Sequence, residues 1–509
     1  MANDAQKKIS APYEPARCAT GVPGFDDILR GGLPRNHLHL IEGTPGSGKT
    51  TLGLQFLLEG VRQGEKGLYV TLSESADELR MVAHSHGWKL DAIPIFQLVD
   101  DHGLTPEAQQ SIFHPSELEL GETMRNLTRV IDQHKPVRVV FDSLSELRLL
   151  AQNSLRYRRQ ILALKHYFLT CNCTVLLLDD MTAGPGDLYL HSIVHGVISL
   201  ETTVQQYGVE RRRLRVIKMR GVKYAGGAHD TKLDTGGMFV FPRLVAAEHH
   251  RNFDPTPAST GCEPLDALLG GGLVPGTNTM FTGPSGIGKT TTAINCARAA
   301  LARGERVAYF VFDEGLGSLL ARASALGMDV RPAVEDGLMQ VYSIDPAELS
   351  PGEFASRVRA AVERDGARFV VIDSLNGYLQ AMPGGQYLLL QMHEMLTYLN
   401  QQGVITIQIL GQHGLIGEVQ NDVDLSYLSD VIVVFKFFEA LGELRKAVSV
   451  VKSRVSSHEL AIREFRLGPR GLEIGDALKD FEGVLSGLPA YRGATPLLGV
   501  PFEEAGATA

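Results

Sequence analysis

Two stretches of this chain have the residue types and the spacing to hold a row of phosphates. Gly43 to Thr50 reads G-T-P-G-S-G-K-T, and Gly283 to Thr290 reads G-P-S-G-I-G-K-T. Both fit G-x-x-x-x-G-K-[ST]. Glycines let such a loop curl so that successive backbone N–H groups face phosphate oxygens, and the helix that follows adds its positive end. In the first copy Thr44, Gly46, Ser47 and Gly48 would form the cradle and Thr51 would continue the helix. In the second copy Ser285, Gly286, Ile287 and Gly288 would form the cradle and Thr291 would continue the helix. Lys49 and Lys289 would reach the β- and γ-phosphates, and the hydroxyls of Thr50 and Thr290 would hold magnesium. ATP with Mg2+ is the expected ligand of both loops.

Phosphoryl chemistry also needs acids. Val139 to Ser143 (V-V-F-D-S) and Val370 to Ser374 (V-V-I-D-S) are apolar runs that end in an acid, which suits Asp142 and Asp373 to magnesium. Ser73-Glu74 and Asp313-Glu314 each follow another apolar run, at equal distance from the two loops. Carboxylates at the C-terminal end of a parallel strand face the ligand crevice. Glu74 would orient or activate water in the first half, and Asp313 and Glu314 would act as base or on magnesium in the second. Helix capping by the same acids is the plainer alternative. Near the end of each half stands a basic pair, Lys218 with Arg220 and Lys452 with Arg454. Alternation along a strand puts each pair on one face, where it could reach the γ-phosphate of a neighbouring subunit or simply face solvent.

The elements that must position these residues are legible in outline. His37 to Glu42 and Asn278 to Thr282 read as strands that end at the loops, and the stretches after Lys49 and Lys289 read as helices. The spacing of 240 between the two lysines also relates Ala19-Thr20-Gly21 to Ser259-Thr260-Gly261 and Tyr69 to Tyr309, so the halves are a duplication. Short apolar runs alternate with helical stretches in both, which predicts an α/β fold with a mostly parallel sheet flanked by helices. Later runs without intervening helices, R-R-L-R-V-I-K-M-R and A-V-S-V-V-K-S-R, should add antiparallel strands. The expected division is an arm at 1–15, a first domain at 16–247, a polar linker at 248–257, a second domain at 258–488 and a Gly-, Pro- and Ala-rich tail at 489–509.

The 509 residues carry a formal net charge of −9, which argues against nucleic acid or an anionic membrane as a constitutive partner. Five scattered cysteines, Cys171 and Cys173 among them, lack zinc-site spacing and read as buried free thiols. Neither an apolar signal core nor a run of about 18 apolar residues is present, so a cytoplasmic location is expected.

The duplicated set resembles the KaiC family, the double-domain members of the RecA-like P-loop NTPases, over roughly residues 15 to 490. The resemblance rests on the paired T-G…G-G-L entries, both phosphate loops, the acidic pairs, K-M-R-G at Lys218, A-I-R-E-F at Ala461 and F-E-G-V-L-S-G-L-P at Phe481. It implies two tandem RecA-like domains and a homo-hexameric double ring with ATP between subunits. The first tier would be mainly an ATPase and the second an autokinase and autophosphatase, with a KaiB-like or other signalling protein as partner. The family's acceptor pair maps onto Ser426 and Tyr427, a tyrosine standing where the family has threonine. Asp313 or Glu314 would take the acceptor's proton. Ser73 replaces a second glutamate of the family, and Gln380 stands near the place of an arginine. These departures are those of a divergent, non-cyanobacterial branch. A DNA-dependent motor on the same fold remains a second reading, with Arg156 to Arg159 and Arg211 to Arg215 as its basic runs, and a nucleotide-gated scaffold remains a third.

Overall fold

The computed structural model describes residues 15–97, 115–151, 153–181, 188–205, 208–380, 386–412, 426–440, 442–469, 471–485 and 490–491, with backbone alone at 115–123, 188–189, 380, 386, 426 and 491. The expected arm (except its last residue) and most of the expected tail lie outside the described residues, as do Asp424 and Leu425 before the acceptor pair. The chain divides into two compact units, Met1–Arg243 and Leu244–Ala509.

Each unit is built on one nine-stranded sheet. The first contains β1 (Leu38–Gly43), β2 (Gly67–Thr71), β3 (Ile95–Gln97), β4 (Arg138–Asp142), β5 (Thr174–Asp179), β6 (Gly196–Thr203), β7 (Arg211–Met219), β8 (Ala228–Asp234) and β9 (Gly237–Phe241). The second contains β10 (Asn278–Pro284), β11 (Arg306–Val311), β12 (Met339–Ser343), β13 (Ala367–Asp373), β14 (Ile405–Gln412), β15 (Val431–Ala440), β16 (Glu443–Ser453), β17 (Arg463–Gly468) and β18 (Gly471–Ala477). Strand order is β9-β8-β7-β6-β1-β5-β4-β2-β3 in the first sheet and β12-β11-β13-β14-β10-β15-β16-β17-β18 in the second. Read from opposite ends the two orders are the same, so each strand of the first unit has its counterpart nine places on. β1 to β6 and β10 to β15 are parallel, and the last three strands of each sheet pair antiparallel. These are two tandem domains of the expected fold class.

The helices that matter for the site follow the strands. In the first unit they are α1 (Lys49–Arg62), α2 (Ala76–Ser85), α3 (Pro115–His134), α4 (Leu144–Ala151), α5 (Ser154–Thr170) and α6 (Leu188–Ile193). In the second they are α7 (Lys289–Ala302), α8 (Leu316–Ala325), α9 (Pro351–Glu363) and α10 (Gln386–Gln401). Covered on both faces, the central parallel strands read as near-continuous apolar runs, and β4 and β5 are buried throughout. Each sheet therefore carries two apolar clusters. In the first unit, one contains Leu52, Tyr69 and Val140 and the other Leu68, Phe141 and Leu177. A capping box, in which Ser75 and Glu78 bond reciprocally, fixes the start of α2 just after Glu74. The five cysteines are free thiols, and among the described residues no helix is long and apolar enough to cross a membrane.

One core position separates the units. Arg138 opens β4 with no exposed surface, whereas Phe369 holds the matching place in β13. The guanidinium donates to Glu65 at 2.6 Å, to the Ala19 carbonyl at 2.7 Å and to the Phe56 carbonyl at 2.9 Å, and its charged carbon lies 4.8 Å from the centre of the Phe56 ring. Substituting Arg138→Met strands those acceptors, and breaking a buried ion pair of this kind costs about 3 kcal/mol or more. The expected outcome is an earlier unfolding of the first unit in urea while nucleotide binding through Lys289 persists. Equal unfolding midpoints for the two proteins would contradict it.

Candidate functional site

Both phosphate loops leave the C-terminal end of a central strand and enter a helix at the lysine. Gly48 (φ 98°) and Gly288 (φ 121°) sit at the turn into α1 and α7, in backbone that a side chain would strain. A Cβ at Gly48 would come within 2.6 Å of Met238, and one at Gly288 within 2.4 Å of Leu467. Each lysine is buried and curls back over its own loop. Lys49 Nζ donates to the carbonyls of Gly43 (2.9 Å) and Thr44 (3.0 Å), and Lys289 Nζ to those of Gly283 and Pro284 (both 2.7 Å). Burial pushes the Lys289 ammonium down to about 8.

Asp142 and Asp373 face these lysines from the ends of β4 and β13. Tyr69 and Tyr309 donate to them at 2.6 and 2.9 Å, Thr50 reaches Asp142 at 3.4 Å, and Thr290 bonds to Asp373. Burial raises both carboxyls above the usual range. A hydroxyl beside a buried carboxylate is a hard-oxygen donor set that suits magnesium completed by nucleotide phosphates. Among the described residues no group of three or more His, Cys, Asp or Glu side chains converges as a separate metal cage. The Ser47 hydroxyl, buried in the first loop without a hydrogen-bond partner, fits a phosphate oxygen at that place.

Around this shared frame the two sites differ. In the first, Asp180, one residue past β5, pairs with Lys49 at 2.8 Å, and Arg148 holds the adjacent Asp179 at 2.8 Å. The strand register puts Gly411 at the place of Asp180 in the second unit. Glu74 is pushed up to about 7, chiefly by burial and then by the charges of Asp142, Glu78 and Asp180, while Lys49 pulls it down. Its Oε2 is buried without a hydrogen-bond partner among the described residues. In the second site Ser374 donates to Asp313 Oδ2 at 2.5 Å, and Arg322 bonds both oxygens of Glu314. Ser143, the counterpart of Ser374, is left with a buried hydroxyl that has no hydrogen-bond partner, because Ser73 stands where the second unit has Asp313. A cavity of about 400 Å³ opens between Gly286, Lys289, Thr290, Asp313, Glu314 and Asp373.

The structure thus brings together the loops, the strand-end aspartates and the acids after β2 and β11. The basic pairs and the acceptor turn lie elsewhere. Lys218 donates to the His191 carbonyl and Arg220 to that of Ser192 (2.6 Å), both at the C-terminal end of α6. Lys452 donates to the Ser429 carbonyl at 2.7 Å, and Arg454 is exposed. Ser426 and the half-exposed Tyr427 open a 3-10 turn, Ser426–Leu428, just before β15. The Asp430 amide bonds to the carbonyl of Asn278, the first residue of β10, five residues short of the loop at Gly283. At roughly 3.3 Å per strand residue that is about 16 Å, so the turn and the loop of one unit stand at opposite ends of the sheet. The side chain of Ser426 lies outside the described residues.

Residue patterns alone missed Asp180, Arg322, and the two tyrosines as carboxylate donors. Only Asp180 left a signal, as the second acid of T-V-L-L-L-D-D at the end of a central strand.

A family model described as "ATPase: KaiC" matches residues 18–245 and again 258–479. The circadian clock protein KaiC3 of Synechocystis sp. is 25% identical over 485 residues, covering 93% of this chain and 94% of that protein. The circadian clock oscillator protein KaiC of Parathermosynechococcus lividus is 27% identical over 487 residues, covering 92% and 87%. The protein of the same description from Synechococcus elongatus is 26% identical over 490 residues, covering 93% and 92%.

Glu74 gives a signed test. Its carboxyl holds a proton up to about pH 7 in the folded chain against about 4.5 as the ordinary value. The folded state therefore binds more protons than the unfolded state in that window, and stability falls as pH rises through it. Without nucleotide or magnesium, Glu74→Gln is expected to resist urea better than the parent at pH 8. That advantage should shrink toward pH 4.5. A difference that does not vary with pH would contradict the assignment.

Proposed function

The chain belongs to the KaiC family, and on that premise we propose that it hydrolyses ATP in both units and phosphorylates itself on Ser426, or on Tyr427 beside it. The working form is a homo-hexameric double ring in the cytoplasm, with nucleotide between subunits. A KaiB-like or other signalling protein reads the phosphorylation state.

The observation that most supports this reading is the cavity of the second unit, where a phosphate loop and the carboxylates of Asp313 and Glu314 share one space. In the first unit Glu74 orients water against the γ-phosphate. In the second, the acceptor hydroxyl of a neighbouring subunit attacks the γ-phosphorus, the bond to the β,γ-bridging oxygen breaks, ADP leaves, and Asp313 or Glu314 takes the hydroxyl proton. Lys49 and Lys289 stabilise charge on the phosphates. Thr50 with Asp142, and Thr290 with Asp373, would hold magnesium, which would supply further charge neutralisation at the phosphates. Lys218, Arg220, Lys452 and Arg454 serve the nucleotide of the adjoining subunit, since each pair stands away from the loop of its own unit. The DNA-motor reading is weakened by the pairing of Arg212, Arg213 and Arg215 with Glu210, Asp230 and Glu201.

The test is incubation with γ-labelled ATP and magnesium, followed by peptide mass spectrometry. Label on Ser426 that is lost in Ser426→Ala, or on Tyr427 that is lost in Tyr427→Phe, is the expected result. Phosphate release with no label on the protein would leave an ATPase without the kinase step.

A further inference from the structure

The two units share one plan up to the carboxylate that follows β2 or β11, and there they part. Glu74 and Glu314 occupy the same repeat position. Eight residues on, α2 carries Val82 and α8 carries Arg322. Arg322 Nη1 donates to Glu314 Oε1 at 3.0 Å and Nη2 to Oε2 at 2.7 Å, so both carboxylate oxygens are engaged by one planar fork. Both residues border the cavity above Lys289. In the first unit Val82 instead packs against the apolar core, and among the described residues no cation forks Glu74.

We propose that Arg322 is a positioning residue that restrains Glu314, so that the second unit turns over its ATP more slowly than the first. A bidentate guanidinium–carboxylate pair is among the stronger charge-assisted contacts. A carboxylate forked in this way offers water only the lone pairs turned away from the guanidinium, so the fork fixes where it can accept a proton. Asp313, held at one oxygen by Ser374, is left as the proton acceptor of the second unit and is available to an incoming hydroxyl. The fork thus favours transfer to a protein acceptor over loss to water. The inference rests on the proposed reading of both units as ATP sites.

The test isolates one unit at a time in the full chain. In a Lys49→Ala background, phosphate release reports the second unit. Adding Arg322→Val is expected to raise kcat about tenfold, a fraction of the roughly hundredfold or more that a general base contributes, with KM for ATP little changed. Arg322→Lys keeps the cation but not the fork and should return only a small part of the restraint. The reciprocal change, Val82→Arg in a Lys289→Ala background, should slow release from the first unit, and it decides the matter if Arg322→Val does not fold. Unchanged or lowered kcat in Arg322→Val with labelled ATP still bound would overturn the proposal alone. So would a Val82→Arg protein as fast as its parent. No phosphate release from the unsubstituted chain would overturn the ATPase reading and this inference with it.

Discussion

A buried ammonium has to find oxygen, and both units are arranged around that need. Lys49 and Lys289 keep under a tenth of their surface exposed, and within the loop their partners are neutral carbonyls. Such a group is costly until an anion joins it. The strand end, the curled loop and the helix start all serve to hold it where an anion can arrive. The first unit supplies a partial answer from its own chain in Asp180. The second has glycine at that place, and its lysine loses part of its hold on the proton. A triphosphate would therefore displace a paired carboxylate in one site and, in the other, meet a lysine whose hydrogen bonds go to carbonyls.

Much of this frame was readable in advance because it is written in local pattern. The loops announce themselves by glycines and a lysine at fixed offsets. The buried parallel strands announce themselves as apolar runs of the right length, and the period of 240 forces two copies of one sheet. What escaped is pairing across elements. Nothing near Arg322 says that its side chain returns to the acid eight residues before it. Tyr69 and Tyr309 marked the repeat, yet their role as donors to Asp142 and Asp373 depends on two neighbouring strands being in register. Arg138 sits in an apolar strand, where alternation would send it to solvent. Its burial follows from acceptors gathered out of three other segments.

The differences between the units come in matched sets. Where Ser73 replaces Asp313, the serine after the strand-end aspartate loses its partner. Where Val82 replaces Arg322, the glutamate loses its fork. Where Asp180 replaces Gly411, the lysine gains a counter-ion. Each change leaves the backbone alone and resets which charges are satisfied before a ligand binds, so one scaffold can hold two sites of different reactivity.

The opposed ends of the second sheet have a consequence for molecularity. The turn at Ser426 and the loop at Gly283 belong to the same unit, yet the length of β10 lies between them. On the proposed reading, a phosphoryl group leaving that loop would reach that turn in another copy of the chain. A solitary molecule would hold donor and acceptor and be unable to join them. Any mark written on the turn would then be a record of company, its rate set by how many copies have met.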